Sequence, residues 1–187
     1  MHYHYTLIII LLSFALNFTG SLVTTYLKLP LFLDAPGTML SAVMIGPWIG
    51  GAIGLMTNII KGLLHTNMSI PFSVVNLGIG IMAGYLAIHL RDYRHPLAPL
   101  KVGIATGLAT PVMAAPIAAY MFGGITAHGI DKYVAALINS GDSILSSAFW
   151  GRVPLSLVDK ILSAYIVYLI VVTWTKASDD RFPIERD

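Results

Sequence analysis

Apolar residues fill six stretches of this chain, separated by short runs of polar residues, proline and glycine. They run about Tyr5 to Tyr26, Ala35 to Ile45, Ile49 to Leu64, Val74 to Leu90, Leu100 to Phe122 and Val153 to Trp174. None alternates polar and apolar residues in the manner of a membrane β-strand. Each is therefore read as a helix, whose backbone hydrogen bonds close within the segment. The second and third are short and meet at Gly46-Pro47-Trp48, which reads as a tight hairpin turn, with a re-entrant third element as the alternative. The expectation is an all-α membrane protein, a compact bundle of six transmembrane helices forming one domain over residues 1–187. Pro111 and Pro116 are expected to bend the fifth span.

Polar positions inside these helices recur three, four and seven residues apart and so share faces. The third span carries Gly54, Asn58, Lys61 and His65. The last carries Arg152, Ser156, Asp159 and Ser163, with Lys160 to one side. The segment before it, read as one helix, carries Asn139, Ser143, Ser146 and Trp150. Ionisable groups within a membrane are costly and face a bundle interior or an aqueous cavity. These stripes converge on one half of the bundle, whereas the far half of the last span is the plain run Ile166-Val-Tyr-Leu-Ile-Val-Val172. A pocket opening on the polar side is expected. Two roles fit Asp159: contact with a substrate, or pairing with a basic neighbour such as Lys61 that fixes helix packing. Asn58 and Asn76 fit either interhelical hydrogen bonding or substrate contact.

Small residues form further stripes that let helices approach closely. They are Ser13, Asn17, Gly20 and Thr24; Gly46, Gly50 and Gly54; Gly80 and Gly84; Gly103 and Gly107; and Ala114 and Ala118.

Composition changes the picture by fixing the solvent. The chain is 56% hydrophobic and 11% charged, with a mean hydropathy of +0.77. A soluble domain carries roughly a quarter charged residues, so this one is solvated by lipid. A net charge of +2, dispersed along the chain, makes no nucleic-acid patch. The absence of cysteine excludes disulfides and thiolate metal sites. The first apolar stretch has no small-residue cleavage site after it and is read as a retained span. With both termini on one side, that side holds Arg91, Arg94, Lys101, Lys176, Arg181 and Arg186. The other holds Lys28, Lys61, Lys132, Arg152 and Lys160. The compact loop from Arg91 to Lys101 decides the orientation, with both termini in the cytoplasm and the polar pocket facing outside the plasma membrane. Trp150 and Trp174 fall near opposite ends of the last span, as an aromatic belt requires.

Catalytic chemistry finds no footing. His2-x-His4 offers two ligands on a chain end and no metal site. HExxH, GxSxG, GxGxxG and the Walker loop GxxxxGK[ST] are all missing, so neither an enzyme nor an ATPase is expected and no cofactor is implied.

The run Leu29-Pro-Leu-Phe-Leu-Asp-Ala-Pro-Gly-Thr38, then Gly46-Pro-Trp-Ile-Gly-Gly-Ala-Ile-Gly54 and Asn58, carries a family likeness, with a fainter echo in Pro154-Leu-Ser-Leu-Val-Asp-Lys-Ile161. It resembles the substrate-capture (S) component of energy-coupling-factor (ECF) vitamin importers. The resemblance implies a ligand that is a water-soluble vitamin or its precursor, and partners comprising a membrane scaffold subunit and two cytoplasmic ATPases. The short, loop-poor form looks like members assigned to hydroxymethylpyrimidine or pyridoxine. Carried onto this chain, the family's outer pocket covers the loop around Asp34, the loop from His65 to Ser73 and the stretch from Asn139 to Asp159. Stripes and resemblance together nominate Asp34, Asn58, Lys61, His65, Asn76, Asn139, Asp142, Ser146, Trp150, Arg152 and Asp159 for substrate binding.

The resemblance also implies that the first span docks the scaffold through Ser13, Ala15, Asn17 and Gly20. The family's alanine-x-x-x-alanine pattern is replaced here by Ala15-x-x-x-Thr19 and Ser13-x-x-x-Asn17. The alternative function is a self-sufficient secondary transporter or small channel. Ion coupling would then fall to Asp159, with Asp34 and Asp142 near the outer boundary. A membrane sensor module is the third reading, disfavoured by the short polar tail after the last span.

Overall fold

Each apolar stretch becomes a helix whose ends fall within a turn of those expected. The computed structural model describes residues 3–65, 67–126 and 129–177. His2, Arg181 and Arg186 lie outside the described residues, as does the side chain of Lys176. The helices are α1 (Tyr3–Tyr26), α2 (Pro36–Met44), α3 (Pro47–Leu64), α4 (Ser73–Leu90), α5 (Leu97–Phe122), α6 (Asp131–Asn139), α7 (Ile144–Trp150) and α8 (Val153–Ala177). A single 3-10 turn, Asn67–Ser69, precedes α4. No strand occurs among the described residues.

The expectation of six crossing helices is met in part. Among the described residues, four helical stretches have the length and composition to cross a membrane: α1, α4, α5, and the run Ile144–Thr175 that takes in α7 and most of α8. The second predicted span is a nine-residue helix. At 1.5 Å per residue it covers less than half of a hydrocarbon core roughly 30 Å thick. α2 and α3 do meet in the expected turn: Gly46 has φ 147°, a value that favours glycine, and Pro47 opens α3. The single helix expected over Asn139 to Trp150 is instead two. α6 stops at Asn139, Gly141 turns the chain with φ 101°, and Ser143 caps α7 through its hydroxyl on the Ser146 N–H. α5 runs unbroken through Pro111 and Pro116.

Close helix contacts fall where the small residues are. A Cβ at Gly37 would meet the backbone of Ser13, joining α2 to α1, and one at Gly80 would meet the backbone of Gly50 and Gly51, joining α4 to α3. A Cβ at Gly103 would stand 2.6 Å from Ile161 Cα, joining α5 to α8. The buried apolar core lies between these pairs, with Met39, Leu40, Ile79, Val102 and Val167 all fully enclosed. In the loop between α4 and α5, buried Tyr93 donates to the Ala164 carbonyl at 3.1 Å, and burial pushes its phenol above the ordinary value.

The segment between α1 and α2 is not helical from Leu29 to Ala35, yet it is tucked against the bundle. Irregular backbone is tolerated at membrane depth only where protein satisfies it. Here side chains of α1 and α8 do so. Asp159 Oδ1 accepts from the N–H groups of Phe32 (2.9 Å) and Leu33 (2.7 Å), and Thr24 donates to the Phe32 carbonyl. Asn17 Oδ1 accepts from Gly37 N–H at 2.8 Å and Thr38 N–H at 3.3 Å, covering the exposed donors at the start of α2. Its amide nitrogen donates to the hydroxyls of Thr38 and Thr57, which ties α1 to α2 and α3.

Candidate functional site

The connections that follow α1, α3 and α5 gather at one end of the bundle, and a cavity lies beneath them between α3, α4, α5 and α8. Its polar wall starts from Asp34, which the pinned segment delivers to the cavity. Leu33, with φ 42°, sits between Phe32 and Asp34, both of which line the site. The carboxylate of Asp34 meets Lys160 Nζ of α8 at 3.6 Å and Lys61 Nζ of α3 at 3.9 Å. Asn76 of α4 donates to Asp34 Oδ2 at 3.3 Å and to Asn58 Oδ1 at 3.1 Å. Asn58 in turn donates to the Phe72 carbonyl at 3.1 Å. One polar chain thus links three helices to the segment before α2.

Opposite stands the start of α8. Arg152 is buried and donates to the carbonyls of Ala148 (3.0 Å) and Gly124 (3.2 Å) and to the Thr126 hydroxyl (3.2 Å). Thr126 is fixed by Asp131, which accepts from its N–H and its hydroxyl. Arg152 therefore holds the connection after α5 onto the bundle and also presents a face to the cavity. Ser156 and Lys160 follow it at one-turn intervals. The apolar remainder comes from Phe72, Val75, Ile79 and Ala114, with the Phe32 ring 6.0 Å from Lys160 Nζ. Apolar walls with a few placed polar groups are the usual make-up of a small-molecule site. The cavity volume is about 70 Å³. An apolar cavity of about 150 Å³ takes up benzene, so a ring would enter here only with some opening of the walls.

Five of the nominated substrate-binding residues meet at this cavity: Asp34, Asn58, Lys61, Asn76 and Arg152. Asp159 does not line it. Asp159 is fully buried against Lys160 Nζ at 2.5 Å and the Phe32 and Leu33 amides, so its basic partner is Lys160, while Lys61 pairs with Asp34. His65, Asn139, Asp142 and Trp150 are exposed and away from the cavity, and Ser146 is half-buried in α7. Reasoning from sequence nominated neither Phe32, Phe72, Thr110 and Thr126 nor two α8 residues, Ser156 and Lys160. The α8 pair already stood on or beside the polar stripe that starts at Arg152; the others are residue types found in any helical core.

The docking stripe divides between two faces of α1. Ser13 and Asn17 are fully buried, and a Cβ at Gly20 would run into the Leu33 carbonyl. That face is covered by the chain's own residues 32–38. Ala15 and Thr19 lie on the opposite, exposed side with Leu11 and Leu22.

Comparison with known families shows that the family model described as ECF transporter, substrate-specific component, matches residues 5–171. No curated protein and no solved structure matches the chain.

Proposed function

The chain belongs to the substrate-specific component family of ECF transporters, and from that premise we propose that it captures a water-soluble vitamin or vitamin precursor from outside the cell. Hydroxymethylpyrimidine and pyridoxine are the favoured candidates. In this reading residues 1–187 form one membrane domain of six helical segments, α1 to α5 and α8, with both termini in the cytoplasm of a plasma-membrane protein. The observation that carries it is the polar chain Asp34–Asn76–Asn58 with Lys61 and Arg152, set around an otherwise apolar cavity. That cavity lies at the end of the bundle opposite the Arg91 to Lys101 loop, whose positive charge favours the cytoplasmic side.

Energy for uptake then comes from a membrane scaffold subunit and two cytoplasmic ATPases. The exposed side of α1 suits the scaffold, since Ala15 and Thr19 leave a shallow notch between Leu11 and Leu22 where another helix can approach closely. Asp159 suits a fixed strut and not an ion carrier, because its oxygens are engaged by Lys160 and two backbone amides. This weakens the case for a self-sufficient transporter.

Calorimetric titration of the detergent-purified protein with the B vitamins and their ring precursors tests the proposal. One compound should bind with one-to-one stoichiometry in the absence of ATP. Ion-driven uptake of such a compound by liposomes holding this chain alone would overturn it in favour of secondary transport.

A further inference from the structure

Several hydroxyls buried in this bundle return their proton to their own helix. Ser41, Thr57, Thr106 and Thr110 each donate to a carbonyl four residues back, at 2.7–2.8 Å. Ser156 does not. It is 1% exposed, its Oγ has no hydrogen-bond partner, and of the buried serines without one among the described residues it alone lines the cavity. A hydroxyl removed from water without a partner carries a desolvation cost that a native structure meets with a ligand or a water.

The charges around it point to the chemistry of that ligand. Lys61 and Lys160 face Asp34, Lys160 also holds Asp159, and Arg152 faces Asp131 across Thr126. Three cations thus stand against three carboxylates, and a charged group placed beside Ser156 would be buried without compensation.

We infer that Ser156 is a ligand-contacting residue, and that its hydroxyl meets an uncharged hydrogen-bonding edge of the bound nutrient, such as a ring nitrogen, an amino group or a hydroxymethyl. This inference rests on the nutrient-capture reading above. It adds a determinant of specificity: Ser156 can donate to an acceptor or accept from a donor, so it selects rings bearing a polar atom at that edge.

The test compares wild type, Ser156→Ala and Ser163→Ala in titrations against a panel of B vitamins with hydroxymethylpyrimidine, pyridoxine and pyridoxal 5′-phosphate. Ser163 is fully buried and has no partner for its hydroxyl, but it lies away from the cavity, so it serves as the control. Ser156→Ala should weaken binding of the wild-type ligand about tenfold. Its melting temperature without ligand should match wild type, and Ser163→Ala should bind as wild type does. Equal affinity in wild type and Ser156→Ala overturns the inference and leaves nutrient capture standing. Equal losses in both variants, or a lowered melting temperature for Ser156→Ala, show a packing role and overturn it as well. Tighter binding of pyridoxal 5′-phosphate than of pyridoxine overturns the uncharged edge. A wild type that binds nothing in the panel overturns nutrient capture itself and this inference with it.

Discussion

Asp159 and Asn17 are buried polar residues that accept from backbone amides, Asp159 from those of Phe32 and Leu33 in the irregular segment and Asn17 from those of Gly37 and Thr38 in the first turn of α2. Their cost in a lipid-solvated bundle is offset by what they hold in place: Phe32, Asp34 and the first turn of α2. Replacing Asp159 removes the carboxylate nearest to Lys160, which is 1% exposed, and strips the acceptor from two amides. Removing one partner of a buried pair costs roughly 3–5 kcal/mol. Asp159→Ala should therefore melt well below wild type in the absence of ligand, measured by thermal unfolding in detergent. Unchanged melting would show that Lys160 is balanced by Asp34 alone. Sequence left Asp159 open between substrate and packing because its decisive partners are backbone amides more than a hundred residues away, which carry no side-chain signature. Asp34, Asn58, Lys61, Asn76 and Arg152 were legible because amides and charges stand out on apolar helices. Phe32, Phe72 and Thr110 were not, being ordinary core types.

At the scale of elements, helix extents were legible because long apolar runs bounded by proline, glycine and charge leave little freedom. The break at Ser140-Gly141 was missed, since the polar positions on either side keep a helical spacing across it. The facing of α1 was also illegible: Ser13-x-x-x-Asn17 and Ala15-x-x-x-Thr19 are both small-residue pairs. Asn17 decides between them by finding its partners on α2 and α3, turning the first pair inward and the second outward. Two substitutions separate the faces. Gly20→Leu forces a side chain into the Leu33 carbonyl and should disturb Asp34, lowering ligand affinity by tenfold or more in a titration. Ala15→Leu fills the exposed notch and should leave binding and melting intact while reducing recovery of scaffold and ATPases in a pull-down. Loss of the complex in Gly20→Leu with full ligand affinity would reverse the assignment of the two faces.

For the whole molecule, a polar-lined cavity of about 70 Å³ lies beneath three connections, held by residues that brace the backbone. Family membership supplies the role of substrate-specific component, and the cavity is the place proposed for it. The most direct measurement is mass spectrometry of small molecules released on denaturing detergent-purified protein, wild type beside Asn58→Ala. Asn58 links Asn76 to the Phe72 carbonyl at the centre of the polar chain. Wild type should release a single ring-bearing nutrient near one-to-one stoichiometry, and Asn58→Ala should be depleted of it. An equal yield from both proteins, or none from either when the cells are supplied with vitamins, would contradict this.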